Sequence, residues 1–203
     1  MTATPGWDDA YTAGGMPAPW DIGRPQPEFA RLAEAGLLTG QLLDSGCGTG
    51  EQTLLAAEHG ADAFGVDISP RAIELSRAKA AERGVPAQFE VANALYLGEL
   101  GRGFDTIIDC GVFHTFDDAD RANYVISLAG VLRPGGYCYL MCFSDRQPGT
   151  LGPRRVSQDE LRAAFADGWV VADITAATFD VNRGFDTPTP QAVQAWLATL
   201  RRA

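Results

Sequence analysis

The sequence is poor in positive charge. Arginine and lysine number 16 against 26 aspartate and glutamate residues, which gives a net charge of −10, and Lys79 is the single lysine. A surface of this kind repels phosphate backbones, so we expect no nucleic-acid partner. A small cationic ligand is tolerated better than an anionic polymer.

Long apolar runs and targeting signals are lacking as well. No apolar stretch approaches the length of a membrane span, and residues 1–19 have neither a basic start nor an apolar core. We therefore expect a cytoplasmic protein without membrane contact, whose four cysteines are free thiols. With 203 residues and 46% hydrophobic content, the chain is long enough for a single domain with a full core.

Metal-binding patterns are not found. The chain has two histidines, and neither belongs to a group of acidic or cysteine residues at metal-ligand spacing. Cys138 and Cys142 lie four residues apart, which is not the C-x-x-C spacing of a metal knuckle. We expect no metal.

What the sequence does have is a glycine-rich turn after a short apolar run. Leu42 to Ser45 leads into Gly46, Gly48 and Gly50, and a helical pattern follows at once. Glycine at alternate positions lets the backbone bend sharply and approach a ligand closely. A strand, a glycine turn and a helix in this order are the usual seat of a nucleotide-like ligand.

The spacing of the glycines distinguishes between kinds of ligand. A dinucleotide site has the pattern G-x-G-x-x-G, but here the third glycine comes one residue early and Glu51 stands in its place. An acidic side chain there would repel a pyrophosphate. This favours a ligand without phosphates.

Strands alternate with helices along most of the chain. This pattern predicts a mainly parallel sheet with helices on both faces. The predicted strands are 41–45, 61–66, 87–91, 104–110 and 137–143. Two further strands, 169–174 and 176–181, are predicted to form an antiparallel hairpin at one edge, and Pro188 or Pro190 is predicted to open a last helix containing Val193, Trp196, Leu197 and Leu200.

Ligands of such sheets bind where the strands end, so the residues after each predicted strand are the site candidates. Asp67 follows the second strand, 21 residues beyond Gly46, and its carboxylate can accept both hydroxyls of a ribose, although it could also only cap the next helix. Asn93 follows the third strand and could meet an adenine edge or simply belong to a turn. The fourth strand is followed by Cys110, Gly111 and, shortly after, His114.

Four motifs occur in order and together resemble the class I S-adenosylmethionine-dependent methyltransferases. They are Asp44-x-Gly46-x-Gly48-x-Gly50, Gly65-x-Asp67-x-Ser69, Phe104-Asp105 with the apolar run to Asp109, and Leu132-x-Pro134-Gly135-Gly136. The resemblance implies a Rossmann-like, seven-stranded α/β sheet whose last strand is antiparallel, and S-adenosylmethionine as the cofactor. It also implies that the turn faces the methionine part, Asp67 the ribose, and Asn93 and Ala94 the adenine.

The N-terminal arm narrows the resemblance. Gly6-Trp7-Asp8-Asp9 and the segment from Pro19 to Pro27 are similar to the arm of thiopurine, thiol and halide methyltransferases and of small bacterial heterocyclic-toxin methyltransferases. In that group the arm folds over the cofactor. The cofactor-binding set expected from both resemblances is Trp7, Trp20, Asp44, Gly46, Cys47, Gly48, Thr49, Gly50, Asp67, Ile68, Asn93, Ala94, Cys110 and Gly111. The alternative for the two tryptophans is that they only fix the arm to the core.

Methyl transfer needs an acceptor held dry and in line, and proton removal when the acceptor is protonated. His114 is the predicted catalytic base, with a structural histidine as the alternative. The predicted acceptor-binding residues are Trp20, Arg24, Phe113, Phe116, Phe143 and Arg155. Core packing explains any one phenylalanine equally well, and a solvated surface explains either arginine.

The sequence thus predicts one domain over 1–203, with an arm and helix over 1–40, a cofactor-binding core over 41–182 and a tail or helix over 183–203. The predicted activity is methyl transfer from S-adenosylmethionine to the sulfur, oxygen or nitrogen of a small aromatic, heterocyclic or thiol compound, in detoxification or secondary metabolism, by a monomer or weak homodimer. A nicotinamide-dependent oxidoreductase and a non-catalytic cofactor-binding module are the alternatives.

Overall fold

The structure is a computed structural model that describes residues 6–11, 18–150, 152–182 and 191–203. The helices of the described residues are α1 (Pro27–Glu34), α2 (Glu51–Glu58), α3 (Pro70–Arg83), α4 (Asp118–Val131) and α5 (Gln158–Ala164). The strands are β1 (Gln41–Ser45), β2 (Asp62–Asp67), β3 (Gln88–Val91), β4 (Phe104–Cys110), β5 (Leu132–Phe143), β6 (Trp169–Val181) and β7 (Gln191–Arg202). Across those same residues, the helices are too short or too polar to traverse a lipid bilayer.

The seven strands form one sheet in the order β3-β2-β1-β4-β5-β7-β6. The pairs from β3 to β5 are parallel, whereas β7 is antiparallel to both β5 and β6. The predicted fold class, a Rossmann-like sheet with an antiparallel last strand, is therefore confirmed. Since β6 runs parallel to β5, the carboxyl ends of β1, β2, β4, β5 and β6 meet at one edge.

The core lies on both faces of the sheet, because successive side chains of a strand point to opposite faces. Leu42 belongs to the buried cluster beneath α1 and α2, and its neighbour Leu43 belongs to the cluster beneath α4 and α5. A third cluster joins Ile73 of α3 to Leu54 and Phe89.

Local signals set the starts of two helices. Ser69 accepts a hydrogen bond from the amide of Ala72 and precedes Pro70, and Ser157 with Glu160 forms a reciprocal capping box. Each of these contacts is made within four residues of sequence. Such starts need no information from the rest of the fold.

The prediction for the C-terminal segment is wrong. Residues 191–202 form β7 rather than a helix, and 169–181 is one long strand rather than two; Pro188 and Pro190 lie outside the described residues. Residues of β7 belong alternately to the two buried clusters, with Trp196 and Leu200 in one and Val193 in the other, so both of its faces are covered. A strand buried on both faces has a nearly continuous apolar sequence, which its periodicity does not distinguish from a buried helix.

Candidate active site

The glycine turn between β1 and α2 forms the floor of the site. Gly46, Gly48 and Gly50 have φ values of 72°, 54° and 87°, in the left-handed region that favours glycine. A Cβ added to Gly46 would lie 2.0 Å from Cγ2 of Val112, and one on Gly48 would lie 3.1 Å from the hydroxyl of Tyr11. Both backbone conformation and close approach therefore require glycine at these positions.

A cavity of about 490 Å³ opens above this turn, at the edge where the parallel strands end. Most of the predicted site residues line it: Trp7, Trp20, Arg24, Gly46, Cys47, Gly48, Thr49, Asp67, Ile68, Asn93, Ala94, Cys110, Gly111, His114, Phe116 and Phe143. Four predicted residues do not line it: Asp44, Gly50, Phe113 and Arg155. The structure therefore brings most of the predicted site residues together around one cavity and places four of them outside its wall.

Asp67 lies at the cavity end of β2 and is half-buried. Its two carboxylate oxygens accept hydrogen bonds from the amides of Gly48 and Ser69, each at 2.9 Å. Burial raises the pKa of Asp67, and these amide bonds oppose that rise. Each carboxylate oxygen has a second lone pair, so the group can still accept from two hydroxyls of a ligand.

Asn93 and Ala94 lie beside Asp67 on the cavity wall, at the end of β3. The side-chain oxygen of Asn93 accepts from the amide of Leu95 and so caps the 3₁₀ helix Ala94–Leu100. The Asn93 oxygen is thus already hydrogen-bonded within its own segment. That segment lies at the predicted adenine position.

Asp44 is buried beneath the turn instead of facing the cavity. One carboxylate oxygen accepts from the hydroxyl of Thr53 at 2.6 Å, and the other has no hydrogen-bond partner among the described residues. Burial, together with the nearby charges of Asp109 and Asp67, raises the pKa of Asp44 to about 7. One buried carboxylate oxygen directly beneath the turn is thus left without a hydrogen-bond donor in the described part of the chain.

Asp109, the last carboxylate of β4, has no site role predicted from the sequence. It is fully buried, and it accepts from the amides of Val112 and Phe113 and from the hydroxyl of Tyr124. The Tyr124 hydroxyl also lies 3.0 Å from the hydroxyl of Ser45. Asp109 therefore fixes the loop that carries His114, through amides three and four residues further along the chain.

Glu51 has a different role from the one its position predicted. Its buried carboxylate accepts from Lys79 at 2.7 Å and from both terminal nitrogens of Arg83. Burial alone would raise the pKa of Glu51, but the bonds from Arg83 and Lys79 lower it below its ordinary value. The negative charge is therefore neutralised within the protein, and the predicted repulsion of a pyrophosphate does not follow from it.

Two cysteines, Cys47 and Cys110, line the cavity. Burial raises the pKa of both thiols well above the ordinary value. They stay protonated at neutral pH, which does not suit a thiolate nucleophile.

His114 lies in the 3₁₀ helix Phe113–Thr115, and its ring is buried at the cavity wall. Its Nδ1 accepts a hydrogen bond of 2.9 Å from the backbone amide of Phe143. Burial, and to a lesser extent the positive charge of Arg155, lowers the pKa of His114 to about 3. The ring is thus neutral with Nδ1 already engaged, which argues against the base role predicted from the sequence.

The predicted acceptor-binding roles of Phe113 and Arg155 need correction. Phe113 is fully buried and packs against Phe165, with ring centroids 5.8 Å apart, so it belongs to the core. Arg155 donates to backbone carbonyls of its own loop, and its guanidinium carbon lies 5.4 Å from the centroid of Phe143. It stands behind the cavity wall rather than in it.

An aromatic pocket occupies one end of the cavity. His114 meets Phe143 edge-on at 4.7 Å and Phe179 at 6.0 Å between ring centroids, and the two phenylalanines are 5.5 Å apart. Phe179 comes from β6, and the sequence analysis did not select it. The predicted hairpin of two short strands concealed that β6 is one strand that ends at the same edge as β5, with β7 between them.

The N-terminal arm covers the other side of the cavity. Trp7 and Trp20 meet edge-on with ring centroids 5.9 Å apart, and the indole nitrogen of Trp20 donates to the hydroxyl of Tyr11. Asp21 accepts from the hydroxyl of Thr49 at 3.0 Å, which ties the arm to the glycine turn.

Two side chains with amide groups anchor this arm to β6. Gln26 is buried and exchanges two hydrogen bonds with the backbone of Asp180, while the side chain of Asn182 donates to the carbonyls of Ala18 and Asp21. A further anchor at the start of the arm is Asp8, which accepts from the Ser69 hydroxyl and the amide of residue 71. Neither amide side chain was selected from the sequence, because their partners lie more than 150 residues away.

A family model described as a methyltransferase domain matches residues 42–136. Among similar proteins, the chain is 39% identical over 168 residues to a 2-heptyl-1-hydroxyquinolin-4(1H)-one methyltransferase of Mycobacteroides abscessus, covering 81% of this chain and 74% of that protein. It is 31% identical over 157 residues to the probable thiol methyltransferase 2 of Arabidopsis thaliana, covering 76% and 69% of the two chains.

Solved structures show the same similarity. One, from work on the conversion of a disulfide bond into a thioacetal group during echinomycin biosynthesis, has 39% sequence identity and a TM-score of 0.82, over 91% of this chain and 84% of that one. An S-adenosylmethionine-dependent methyltransferase from Anabaena variabilis has a TM-score of 0.78 over 97% and 93% of the two chains, and at 17% identity it supports the fold alone.

Proposed function

Because the chain belongs to the class I S-adenosylmethionine-dependent methyltransferases, we propose that it methylates a small aromatic or heterocyclic compound through a thiol, hydroxyl or ring nitrogen. The family assignment decides against the nicotinamide-dependent alternative and makes the protein an enzyme whose cofactor is S-adenosylmethionine. The observation that carries the proposal is the junction of the glycine turn with the aromatic pocket in one cavity.

The cofactor end of the cavity fits an adenosyl compound without phosphates. The turn allows close backbone approach, Asp67 has free lone pairs for ribose hydroxyls, and the unpartnered oxygen of Asp44 lies beneath the turn, on the methionine side. We assign the ribose to Asp67, the methionine part to Gly46 and Gly48 with Asp44 below them, and the adenine to the wall at Asn93. The bound cofactor supplies an electrophilic methyl group on a sulfonium.

The aromatic pocket supports the choice of acceptor. Rings of Phe143, Phe179 and His114 present flat apolar surface, as sites for aromatic ligands commonly do. One relative is named for the methylation of a hydroxyquinolinone, an aromatic heterocycle, and another is named as a probable thiol methyltransferase. The arm over the opposite side would exclude water from the cavity, which favours in-line displacement.

The cofactor assignment is tested with Asp67→Ala and calorimetry of S-adenosylhomocysteine. We expect the affinity to fall about tenfold or more, because about 1.4 kcal/mol or more of hydrogen bonding to the ribose is lost. Asp62→Asn is the matched control, since Asp62 is an exposed carboxylate at the other end of the same strand. Equal affinities of the wild type and Asp67→Ala would refute the assignment.

The acceptor class is tested by incubating the enzyme and S-adenosylmethionine with aromatic thiols, N-hydroxy heterocycles, phenols and ring-nitrogen compounds. Mass spectrometry should detect a single added methyl group on members of this panel. If only aliphatic or macromolecular acceptors were methylated, the proposed class would be wrong. The cytoplasmic location and the monomeric or weakly dimeric state remain predictions.

A further inference from the structure

We infer that His114 serves the acceptor as a hydrogen-bond donor rather than as a base, and that the acceptor therefore binds as a preformed anion, a thiolate or the anion of an acidic hydroxyl. This inference rests on the proposed function, which it narrows from any thiol, hydroxyl or ring nitrogen to acceptors that ionise in solution. According to this inference, the His114 ring and the Phe143 amide that orients it determine which acceptors bind.

The tautomer of His114 follows from its partner at Nδ1. The partner is the backbone N–H of Phe143, at 2.9 Å, and a backbone amide can only donate. Nδ1 must therefore supply a lone pair, which in a neutral imidazole places the proton on Nε2. If Nε2 were the base, its lone pair would face the cavity and the ring proton would be on Nδ1. That proton would then point at the N–H of Phe143, which is also a donor.

The surroundings of the ring also oppose a positive charge. His114 is 5% exposed and lies edge-on to Phe143 and Phe179. The guanidinium of Arg155 does not line the cavity, and its carbon lies 5.4 Å from the centroid of the Phe143 ring. Burial and the charge of Arg155 lower the pKa of His114 to about 3, so the ring does not take up a proton at neutral pH.

The carboxylates near His114 do not provide a compensating charge. Asp109, four residues before Phe113, directs its oxygens to the amides of Val112 and Phe113 and to Tyr124. Asp117 and Asp120 line the same cavity, yet among the described residues neither hydrogen-bonds to the imidazole.

Further charges face the cavity from the arm and from β6. Arg24 is paired with Asp180 at 2.7 Å, so its charge is compensated. Asp21 is engaged with Thr49, and Asp67 with two backbone amides. The Coulombic influence that reaches the ring is therefore the positive one of Arg155.

The Nε2 edge of the ring lies next to Gly111 on the cavity wall. A Cβ added to Gly111 would lie 3.4 Å from Cε1 and 3.6 Å from Nε2 of His114. Gly111 has a φ of 97°, a backbone conformation that favours glycine. The space beside the His114 ring is therefore left without a side chain. An N–H directed there, with a positive charge behind the aromatic wall, favours an anionic oxygen or sulfur over a neutral one.

The transfer then balances without a proton acceptor in the protein. The acceptor releases its proton to solvent before it binds, and a lone pair of its anionic sulfur or oxygen forms the bond to the methyl carbon. The bond between that carbon and the sulfonium sulfur breaks, and its electron pair stays on sulfur. The Nε2–H group of His114 orients the attacking sulfur or oxygen. Its hydrogen bond to that atom weakens as the negative charge of the acceptor is lost, so the methylated product can leave.

The tautomer is tested directly by nuclear magnetic resonance of the whole protein labelled with ¹⁵N-histidine. The chain contains two histidines, and His59 is an internal reference of the opposite kind, because its Nδ1 lies 3.0 Å from the carbonyl of Leu55, which can only accept. We expect His114 to hold its proton on Nε2 and to remain neutral throughout the neutral pH range. A proton on Nδ1 of His114, or protonation of its ring near pH 6 to 7, would overturn the inference.

The acceptor's charge is tested by binding to the complex with S-adenosylhomocysteine, which cannot donate a methyl group. 4-Nitrothiophenol is a suitable probe because its thiolate absorbs visible light and its thiol does not. We expect the bound probe to show the thiolate spectrum, and its apparent pKa to lie below that of the free compound. A bound probe with the thiol spectrum at neutral pH contradicts the inference.

Kinetics then separate this inference from the proposed function. With substituted thiophenols, the acidic limb of kcat/KM against pH should move with each acceptor's own pKa. A limb that stays at one pH for all acceptors would identify an enzyme base and overturn the inference while leaving the methyltransferase function intact. If the wild type methylates no member of the panel, the proposed acceptor class fails instead, and the resonance and absorbance results still decide the role of His114.

Variants supply the last comparison. His114→Gln keeps a neutral N–H donor, so its kcat/KM should stay within about tenfold of the wild type, whereas His114→Phe keeps the ring alone and should lose about ten- to a hundredfold more. His59→Gln is the control for a histidine outside the site. Equal losses in His114→Gln and His114→Phe, with both variants folded, would contradict a donor role.

Discussion

Burial governs the ionisation of two carboxyl groups close to the cavity. Asp44 and Asp109 are both buried, and burial raises the pKa of each to about 7. Asp109 has three donors for its oxygens, but Asp44 has the Thr53 hydroxyl and an oxygen without a partner among the described residues. Asp44 is thus the group whose ionisation is least compensated in the protein alone.

The raised pKa of Asp44 predicts that the stability of the protein depends on pH. An aspartate in the unfolded chain has a pKa of about 4, and the folded value for Asp44 is about 7. Between these values the folded state holds a proton that the unfolded chain has released, so the free energy of unfolding falls as the pH rises. One such group contributes up to about 1.4 kcal/mol per pH unit.

Asp44→Asn should reduce this slope, because a carboxamide does not titrate, and urea unfolding of the cofactor-free protein at a series of pH values measures it. Asp159→Asn, which removes an exposed carboxylate of α5, is the control. A variant at position 44 that keeps the full slope of the wild type would show that Asp44 does not cause it.

At the scale of elements, the arm depends on hydrogen bonds that span almost the whole chain. Gln26 joins the start of α1 to Asp180 at the end of β6, and Asn182 holds two carbonyls of the arm. Arg24 also reaches Asp180, but its side chain is 56% exposed, and an ion pair so exposed stabilises little. Buried amide groups rather than surface charge therefore keep the arm over the cavity.

Gln26→Ala should loosen this arm. The substitution leaves buried polar groups of Asp180 without their partners, at a cost of about 1–3 kcal/mol. Because the anchored arm carries Trp20 and Asp21 to the cavity, we expect the dissociation constant for S-adenosylhomocysteine to rise about tenfold or more. Arg31→Ala, on the exposed side of α1, is the matched control. An unchanged dissociation constant in Gln26→Ala would separate the arm's anchoring from cofactor binding.

At the scale of the whole molecule, β7 joins the two parts of the sheet. It pairs with β5 along 137–143 and with β6 along its whole length, and Trp196 at its centre is 2% exposed. The indole nitrogen of Trp196 donates to the carbonyl of Val156 and lies 3.2 Å from a carboxylate oxygen of Asp145. It thereby fixes the loop that carries Arg155 behind the aromatic pocket.

Trp196→Ala should lower the free energy of unfolding by about 3–5 kcal/mol, as truncation of a buried tryptophan does. Val170→Ala on the outer strand β6, where Val170 is 43% exposed, should change it by less than about 0.5 kcal/mol. Urea unfolding followed by circular dichroism measures both. A loss at Trp196 no larger than that at Val170 would mean that β7 is not an integral part of the core.

The sequence by itself determined the features that depend on near neighbours. The glycine turn needs left-handed backbone at three positions, Ser69 and Ser157 cap helices that begin beside them, and alternating strands and helices require the parallel sheet. From these followed the fold class and the edge of the sheet at which the cavity opens, whereas the cofactor followed from the resemblance of four motifs to a methyltransferase family.

Only the tertiary structure decided what depends on distant partners. It made 191–202 an interior strand paired with β5 and β6, and so brought Phe179 beside Phe143. The apolar run of a strand that is covered on both faces does not by itself distinguish it from a buried helix. The tertiary structure also paired Glu51 with Lys79 and Arg83, which neutralise its charge. It also turned His114 from a predicted base into a donor, since the charge and tautomer of a buried ring are set by the amide and the guanidinium that surround it, and neither lies near it in the chain.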